Sequence, residues 1–208
     1  MINLINHFNR DRHAPLLSGM HADRKRLFVD RLKWDIRHDG LFERDEFDND
    51  EAAYLVLADR ETQEHQASVR LLRTDRPHIL SNIFPELCEI ELPAGPEYRE
   101  ITRLCYAPRT RRAERIRYRN LIGRSLIEYA HFTGLRGYTL VTEMALLGQI
   151  LSAGWSCRPL GLPRDIGGST IGALLITIEP WTLRRMSPSW QTESVPMRVV
   201  EFGEPLAA

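Results

Sequence analysis

The stretch from residue 98 to 142 limits the folds open to this chain more than any other. YREITRLCYAP (98–108) reads as a strand ended by Pro108. After it, residues 115–133 carry a continuous apolar stripe at helical spacing, formed by Ile116, Leu121, Ile122, Leu126, Tyr129 and Ala130. Gly134 is a natural stop for that helix, and YTLVT (138–142) follows as a buried strand by composition. A strand, a long one-faced helix and a second strand in succession call for a sheet with the helix laid against it.

The flanks extend this pattern. AAYLVLAD (52–59) and QASVRLLR (66–73) read as a hairpin. HADRKRLFVDRLKW reads as a helix with Leu27, Phe28, Arg31 and Leu32 on one face and Asp23 as N-cap. RPHILSNIFPELCEIELPAGPE is rich in Pro and Gly and predicts irregular chain with one short helix. MALLGQILSAG (144–154) predicts a second helix closed by Gly154, with strands at 155–160 and 173–180. The order predicts an α/β fold with one mixed central sheet flanked by helices. It matches the N-acetyltransferase-like architecture, in which a splay in the sheet admits the phosphopantetheine arm of an acyl donor. With 208 residues, 43% of them hydrophobic, a single domain over 1–208 is expected. The tail after Trp181 has no clear pattern.

Several function classes are disfavoured. The formal net charge is zero, which steers the chain toward neither nucleic acid nor an anionic membrane. No apolar run is long enough to span a bilayer, and the N-terminus lacks a signal-peptide pattern, so a cytoplasmic location is expected. Cys88, Cys105 and Cys157 are far apart and fit reduced thiols, and no metal-binding spacing of Cys or His is present.

Charge is nevertheless segregated. DGLFERDEFDNDE (39–51) holds seven carboxylates in thirteen residues, while RTRRAERIRYR (109–119) holds six Arg against one Glu. The acidic stretch admits three readings: a solvated turn, a calcium loop, or one wall of a pocket for a cationic ligand. No register supplies the glycine that an EF-hand loop requires at its sixth position. Glu43 and Asp45 would share one side of an extended segment, with Phe42 and Phe47 anchoring it. Carboxylates held this close need cationic partners, and Arg24, Arg70 and Arg103 are the candidates. Glu100 and Arg103 lie inside a predicted strand, where alternation puts Glu100, Thr102 and Leu104 on one face and Ile101, Arg103 and Cys105 on the other. Charges there mark a site if buried, or an edge strand if solvated.

Taken in order, these segments resemble one family. RxxxFxxRLxWD at 24–35, ExDxFD at 43–48, SVRLLRTDRPHIL at 68–80, FPEL at 84–87 and EITRLCY at 100–106 are similar to the acyl-homoserine lactone synthases, the autoinducer synthases of bacterial quorum sensing. The likeness runs through VTEMALLGQILSAGW to RPLG, over residues 20–161. Each motif alone is weak, and their order and spacing together are specific.

The resemblance implies that S-adenosylmethionine and an acylated acyl carrier protein are the substrates, with no cofactor. N-acylation would be followed by lactonisation and release of methylthioadenosine. It implies a charged cluster of Arg24, Glu43, Asp45, Asp48, Arg70, Glu100 and Arg103 at the S-adenosylmethionine site. Phe28 and Trp34 would be pocket walls for its cationic groups. Glu100 is the candidate general base, with Arg103 and Arg70 beside it. The acyl chain would be read by Leu104, Val141, Thr142, Met144, Leu147 and Ile150. Acyl carrier proteins are acidic, so Arg109, Arg111, Arg112, Arg115, Arg117 and Arg119 form a candidate docking surface. Acyl-coenzyme A remains an alternative donor, and the family implies pairing with a lactone-responsive transcription regulator. The rival readings are a coenzyme A-dependent N-acyltransferase acting on another amine and an arginine-patch module for nucleic acid.

Overall fold

The computed structural model describes residues 1–186 and 197–198. The chain divides into two compact units, one built on Met1–Leu71, Arg103–Ser125 and residues 197–198, the other on Leu72–Thr102 and residues 126–186.

In the first unit, β1 (Ile2–Ile5) pairs antiparallel with β2 (Ala53–Ala58), and β2 with β3 (His65–Arg73). The predicted hairpin is therefore present. All six residues of β2 are buried, as the unbroken apolar run AYLVLA requires of a strand covered on both faces. The first unit also contains α1 (Ala14–Arg24), which continues as a π-helical segment over Lys25–Arg31. Asp23 is thus not an N-cap. The helix begins nine residues earlier, with Pro15 in its first turn. Asp23 lies near its end, where its carboxylate meets His65, Arg26 and Arg109. Strand β1 was not foreseen, because its four residues are too few to show a period.

In the second unit, β5 (Gly137–Glu143) pairs antiparallel with β8 (Ser169–Thr177) over seven residue pairs. At one end of that ladder, a Cβ on Gly137 would stand 2.4 Å from the Ile176 carbonyl oxygen, so a side chain there would force the strands apart. The short strands β6 (Cys157–Pro159) and β7 (Arg164–Ile166) add to β8. Leu80, Leu87, Leu160, Ala173 and Leu175 form the core, with Val141 packed against it. The short helix expected in the Pro- and Gly-rich stretch is α2 (Ile79–Asn82), while α4 (Leu147–Ser152), preceded by a 3-10 turn at Met144–Leu146, is shorter than the 144–154 read.

Strand β4 (Tyr98–Tyr106) and helix α3 (Arg112–Thr133) contribute to both units. The strands form one mixed sheet in the order β6-β8-β5-β4-β3-β2-β1-β9, where β9 is Met197–Arg198 and pairs parallel with β1. A short helix, α5 (Thr182–Arg185), follows β8. The parallel register of β4 with β5 ends at Glu100 and Thr139, four residues before the end of β5. Such an interruption fits the expected splay. On α3 the predicted stripe is buried from Leu121 onward, whereas Ile116 is 52% exposed. The helix ends where Gly134 takes a φ of +75°, a conformation that costs glycine little.

Candidate active site

The acidic stretch turns inward. Glu43 and Phe47 are buried, and Phe47 stacks under the Arg70 guanidinium at 5.9 Å. Local hydrogen bonds shape the turn: Asp45 Oδ1 accepts the Phe47 N–H, and Asp48 Oδ2 accepts the Asp45 N–H. Hairpin register does the rest. Tyr54 and Arg70 are cross-strand partners, and both reach Asp48.

Three guanidinium groups meet three carboxylates there. Arg24 binds Glu43 at 2.5 Å and grips Asp48 through two bonds of 2.8 Å each. Arg70 binds Asp45 at 2.5 Å and Asp48 at 3.0 Å. Arg103 binds Glu43 at 3.1 Å and Asp45 at 2.8 Å. Every carboxylate has two arginine partners and every arginine two carboxylates, so charge cancels within the cluster. The three carboxylates are close enough together to suggest a metal site. Their arginines already supply the positive charge that an ion would bring, so the trio reads as an ion-pair lattice.

The lattice shifts the groups around it. Burial alone would raise the Asp48 carboxyl, but Arg24 and Arg70 outweigh it and hold the group well below the usual carboxylate range. Burial works against the charge on Arg24, yet Asp48 and Glu43 hold that charge more firmly than in water. Burial, reinforced by the Arg24 charge, lowers His21 to about 4, so it is neutral at physiological pH. Its Nδ1 lies 3.0 Å from the Glu43 carbonyl oxygen and therefore donates to it.

The π-helical turn after α1 supplies the wall. Leu32 N–H donates to Leu27 O, five residues back, and Trp34 N–H to Phe28 O, six back. The widened turn stacks Trp34 on Phe28 with ring centroids 4.8 Å apart. Phe28 is buried while Trp34 is 41% exposed. The Arg103 guanidinium lies 5.6 Å from the Phe28 centroid, so the aromatic pair adjoins the ion-pair lattice.

Six of the seven residues that the family resemblance placed in one charged cluster meet in this lattice, and Glu100 is not among them. Residues 7–185 match the family model described as autoinducer synthase. The chain belongs to the autoinducer synthase family. Its relatives include the acyl-homoserine-lactone synthases of Ralstonia solanacearum, 33% identical over 76% of this chain and 80% of that one, and of Acinetobacter nosocomialis, 28% identical over 85% and 100%. Like them it is an acyltransferase. The fold is that of BjaI, a coenzyme A-dependent acyl-homoserine lactone synthase solved with SAM and isopentyl-CoA. BjaI has a TM-score of 0.87 at 23% identity, with 97% of this chain and 95% of that one covered. A protein from Lactobacillus plantarum classed as an N-acetyltransferase has a TM-score of 0.56 at 17% identity over 86% of this chain and 99% of its own.

The remaining predicted residues of this autoinducer synthase fall in different places. Glu100 is fully buried, and its two carboxylate oxygens accept the N–H groups of Ile79 and Leu80 at 2.8 Å each, anchoring the start of α2. Met144 and Leu147 line an apolar cavity of about 260 Å³ in the second unit. Val141 packs on the neighbouring core, while Thr142 and Ile150 are partly buried and outside that lining. Leu104 is 42% exposed. Arg103 has a left-handed backbone at φ +53°, which interrupts the strict alternation read for this strand.

The arginine run also divides. Arg109, although 44% exposed, pairs with Asp23 and Glu64 and donates to the His65 carbonyl. Arg115 donates to the Thr110 carbonyl and Arg119 to Asn120. Arg111, Arg112 and Arg117 are exposed. Sequence reasoning missed His21 and Tyr54. Tyr54 could have been found from the hairpin register, which places it opposite Arg70; nothing local marks His21.

Proposed function

We propose that this autoinducer synthase makes an acyl-homoserine lactone from S-adenosylmethionine and an acyl thioester carried on phosphopantetheine. The observation that carries the reading is the union of the Arg24, Arg70 and Arg103 lattice with the stacked Phe28 and Trp34 pair. Arg103 is the most accessible of the three, with 12% of its side chain exposed against 1% and 0% for Arg24 and Arg70. It is placed to take the substrate carboxylate, while the face of Trp34 attracts the sulfonium.

The α-amine must be neutral to attack. With an ordinary pKa of about 7.7 to 8.0, it needs little help near neutral pH. Its nitrogen forms a bond to the thioester carbonyl carbon, the C–S bond breaks, and the thiol leaves as the amine gives up a proton. Glu100 is the proposed acceptor of that proton, through a water, since both its oxygens already hold backbone donors, and the proton then passes to the departing sulfur. One carboxylate oxygen then attacks Cγ, the Cγ–sulfonium bond breaks with its electron pair going to sulfur, and methylthioadenosine leaves neutral. S-adenosylmethionine is consumed as a substrate and no cofactor enters. The product lactone is the ligand expected of a paired transcription regulator.

Acyl carrier protein is the proposed donor, docking on the exposed Arg111 and Arg112. A second reading, acyl-coenzyme A, is favoured by the likeness to the coenzyme A-dependent BjaI. Purified enzyme, S-adenosylmethionine and one acyl group presented on both carriers separate the two. Lactone and methylthioadenosine appearing together by mass spectrometry support the reaction, and the larger kcat/KM assigns the donor. Amide formation on another amine without methylthioadenosine would overturn it.

A further inference from the structure

The apolar cavity in the second unit bears on the acyl group. Met144 and Leu147, read from the sequence as acyl-lining residues, both face it, together with Leu151, Cys157, Leu162 and Gly172. No side chain in its wall carries a hydrogen-bonding group stronger than the Cys157 thiol. Its volume is about 260 Å³. An apolar cavity of ~150 Å³ accommodates the six carbons of benzene, so this one holds roughly ten.

We infer that the acyl donor used by this enzyme is a medium-length, saturated aliphatic thioester of about eight to ten carbons, and that Gly172 with Met144 gauges its length. The inference rests on the N-acylation reading given above. A hydroxyl, phenol or carboxylate held against this apolar wall would find no hydrogen-bonding partner in it and is disfavoured. A butyryl or short branched chain leaves the cavity largely unfilled and forgoes its burial.

Gly172 sits in β8 opposite Thr142. A Cβ added there would stand 2.9 Å from Met144 Sδ and 3.8 Å from Pro163 Cγ. The Met144 side chain is flexible and must give way, and the free volume beside it is the cavity. Gly172→Ala therefore shortens the accepted chain, and Met144→Ala lengthens it.

The test is a panel of butyryl to tetradecanoyl thioesters plus an aryl thioester, with purified enzyme and S-adenosylmethionine, read by methylthioadenosine release. Each methylene that enters the cavity should raise kcat/KM about fourfold, the factor equivalent to ~0.8 kcal/mol. Octanoyl or decanoyl should exceed butyryl at least tenfold. The decanoyl-to-hexanoyl ratio should fall in Gly172→Ala and rise in Met144→Ala. That ratio is internal to each protein, so general destabilisation leaves it unchanged. An optimum at butyryl or at the aryl donor, or a ratio unmoved in both variants, overturns the inference and leaves the reaction standing. Methylthioadenosine release with no donor at all overturns the functional reading itself.

Discussion

Arg103 reaches Glu43, sixty residues away in sequence, from a left-handed backbone, and the two side chains meet at 3.1 Å. A non-glycine residue in that conformation costs on the order of 1–2 kcal/mol. The same guanidinium also holds Asp45 and lies beside Phe28, and these contacts offset the strain. The backbone turn aims the most accessible charge of the lattice along the aromatic wall.

Arg103→Lys keeps the charge but loses the planar fork that serves two carboxylates at once. A fall in kcat/KM of about 10- to 100-fold is expected, the equivalent of one or two charge-assisted hydrogen bonds. Steady-state kinetics with varied S-adenosylmethionine would check it. Unchanged kcat/KM in a folded variant would remove Arg103 from substrate binding.

Asp48→Asn leaves Arg24 and Arg70 short of a counter-charge in a buried place. Breaking one member of such a buried network costs about 3–5 kcal/mol. Urea unfolding at pH 7 should show a clear loss of midpoint. A loss under ~1 kcal/mol would mean that the lattice holds substrate geometry and contributes little to stability.

Stability should fall as pH is lowered, in two stages. His21 titrates near 4 in the folded chain against about 6.5 unfolded. Between those values the unfolded state binds more protons, so folding weakens as pH drops from 6.5 to 4. Burial lowers His65 and His78 in the same direction. Asp48, depressed by Arg24 and Arg70, contributes stability above its unfolded value of about 3.9 and loses it as pH falls below. Urea midpoints at pH 7.5, 5.5 and 4.5 should decline in that order. His21→Asn, which keeps a donor for the Glu43 carbonyl, should decline less steeply.

How much of this was legible in the sequence depends on range. Strands β2 to β5 and helix α3 could be read because each carries a long apolar period of its own. The left-handed turn at Arg103 could not, since its side chain is held by the distant Glu43 and Asp45, and nothing in KRLFVDR marks a π-helical turn at Lys25–Arg31. The pairing of Arg24, Arg70 and Arg103 with Glu43, Asp45 and Asp48 was reachable by charge balance together with the family pattern. That Arg109 pairs with Asp23 was not, because nothing in RTRRAERIRYR distinguishes one arginine from another.

Glu100 requires a more careful test than a single substitution. Glu100→Gln presents an amide N–H toward one of the two backbone donors now bound, so a loss of about 1–3 kcal/mol in stability is expected. Turnover should also fall at least ~10²-fold if the carboxylate takes the amine proton. Only the pH dependence separates the roles. Loss of the base limb in kcat/KM of the folded variant supports a proton acceptor, whereas an unshifted profile with reduced rate would leave Glu100 as the anchor of α2.

Arg111 and Arg112 offer the cleanest test of donor docking. Both are exposed at the start of α3, where positive charge opposes the helix macrodipole. Replacing them by Glu should therefore leave the helix intact or slightly steadier, and a kinetic loss cannot be ascribed to unfolding. If an acidic carrier protein docks there, the double variant should raise KM for that donor about tenfold with kcat nearly unchanged. The difference from wild type should shrink as salt rises and screens the exposed charges. An unchanged KM would move the docking surface away from the start of α3. An increase confined to acyl-coenzyme A would assign the patch to that donor's phosphates.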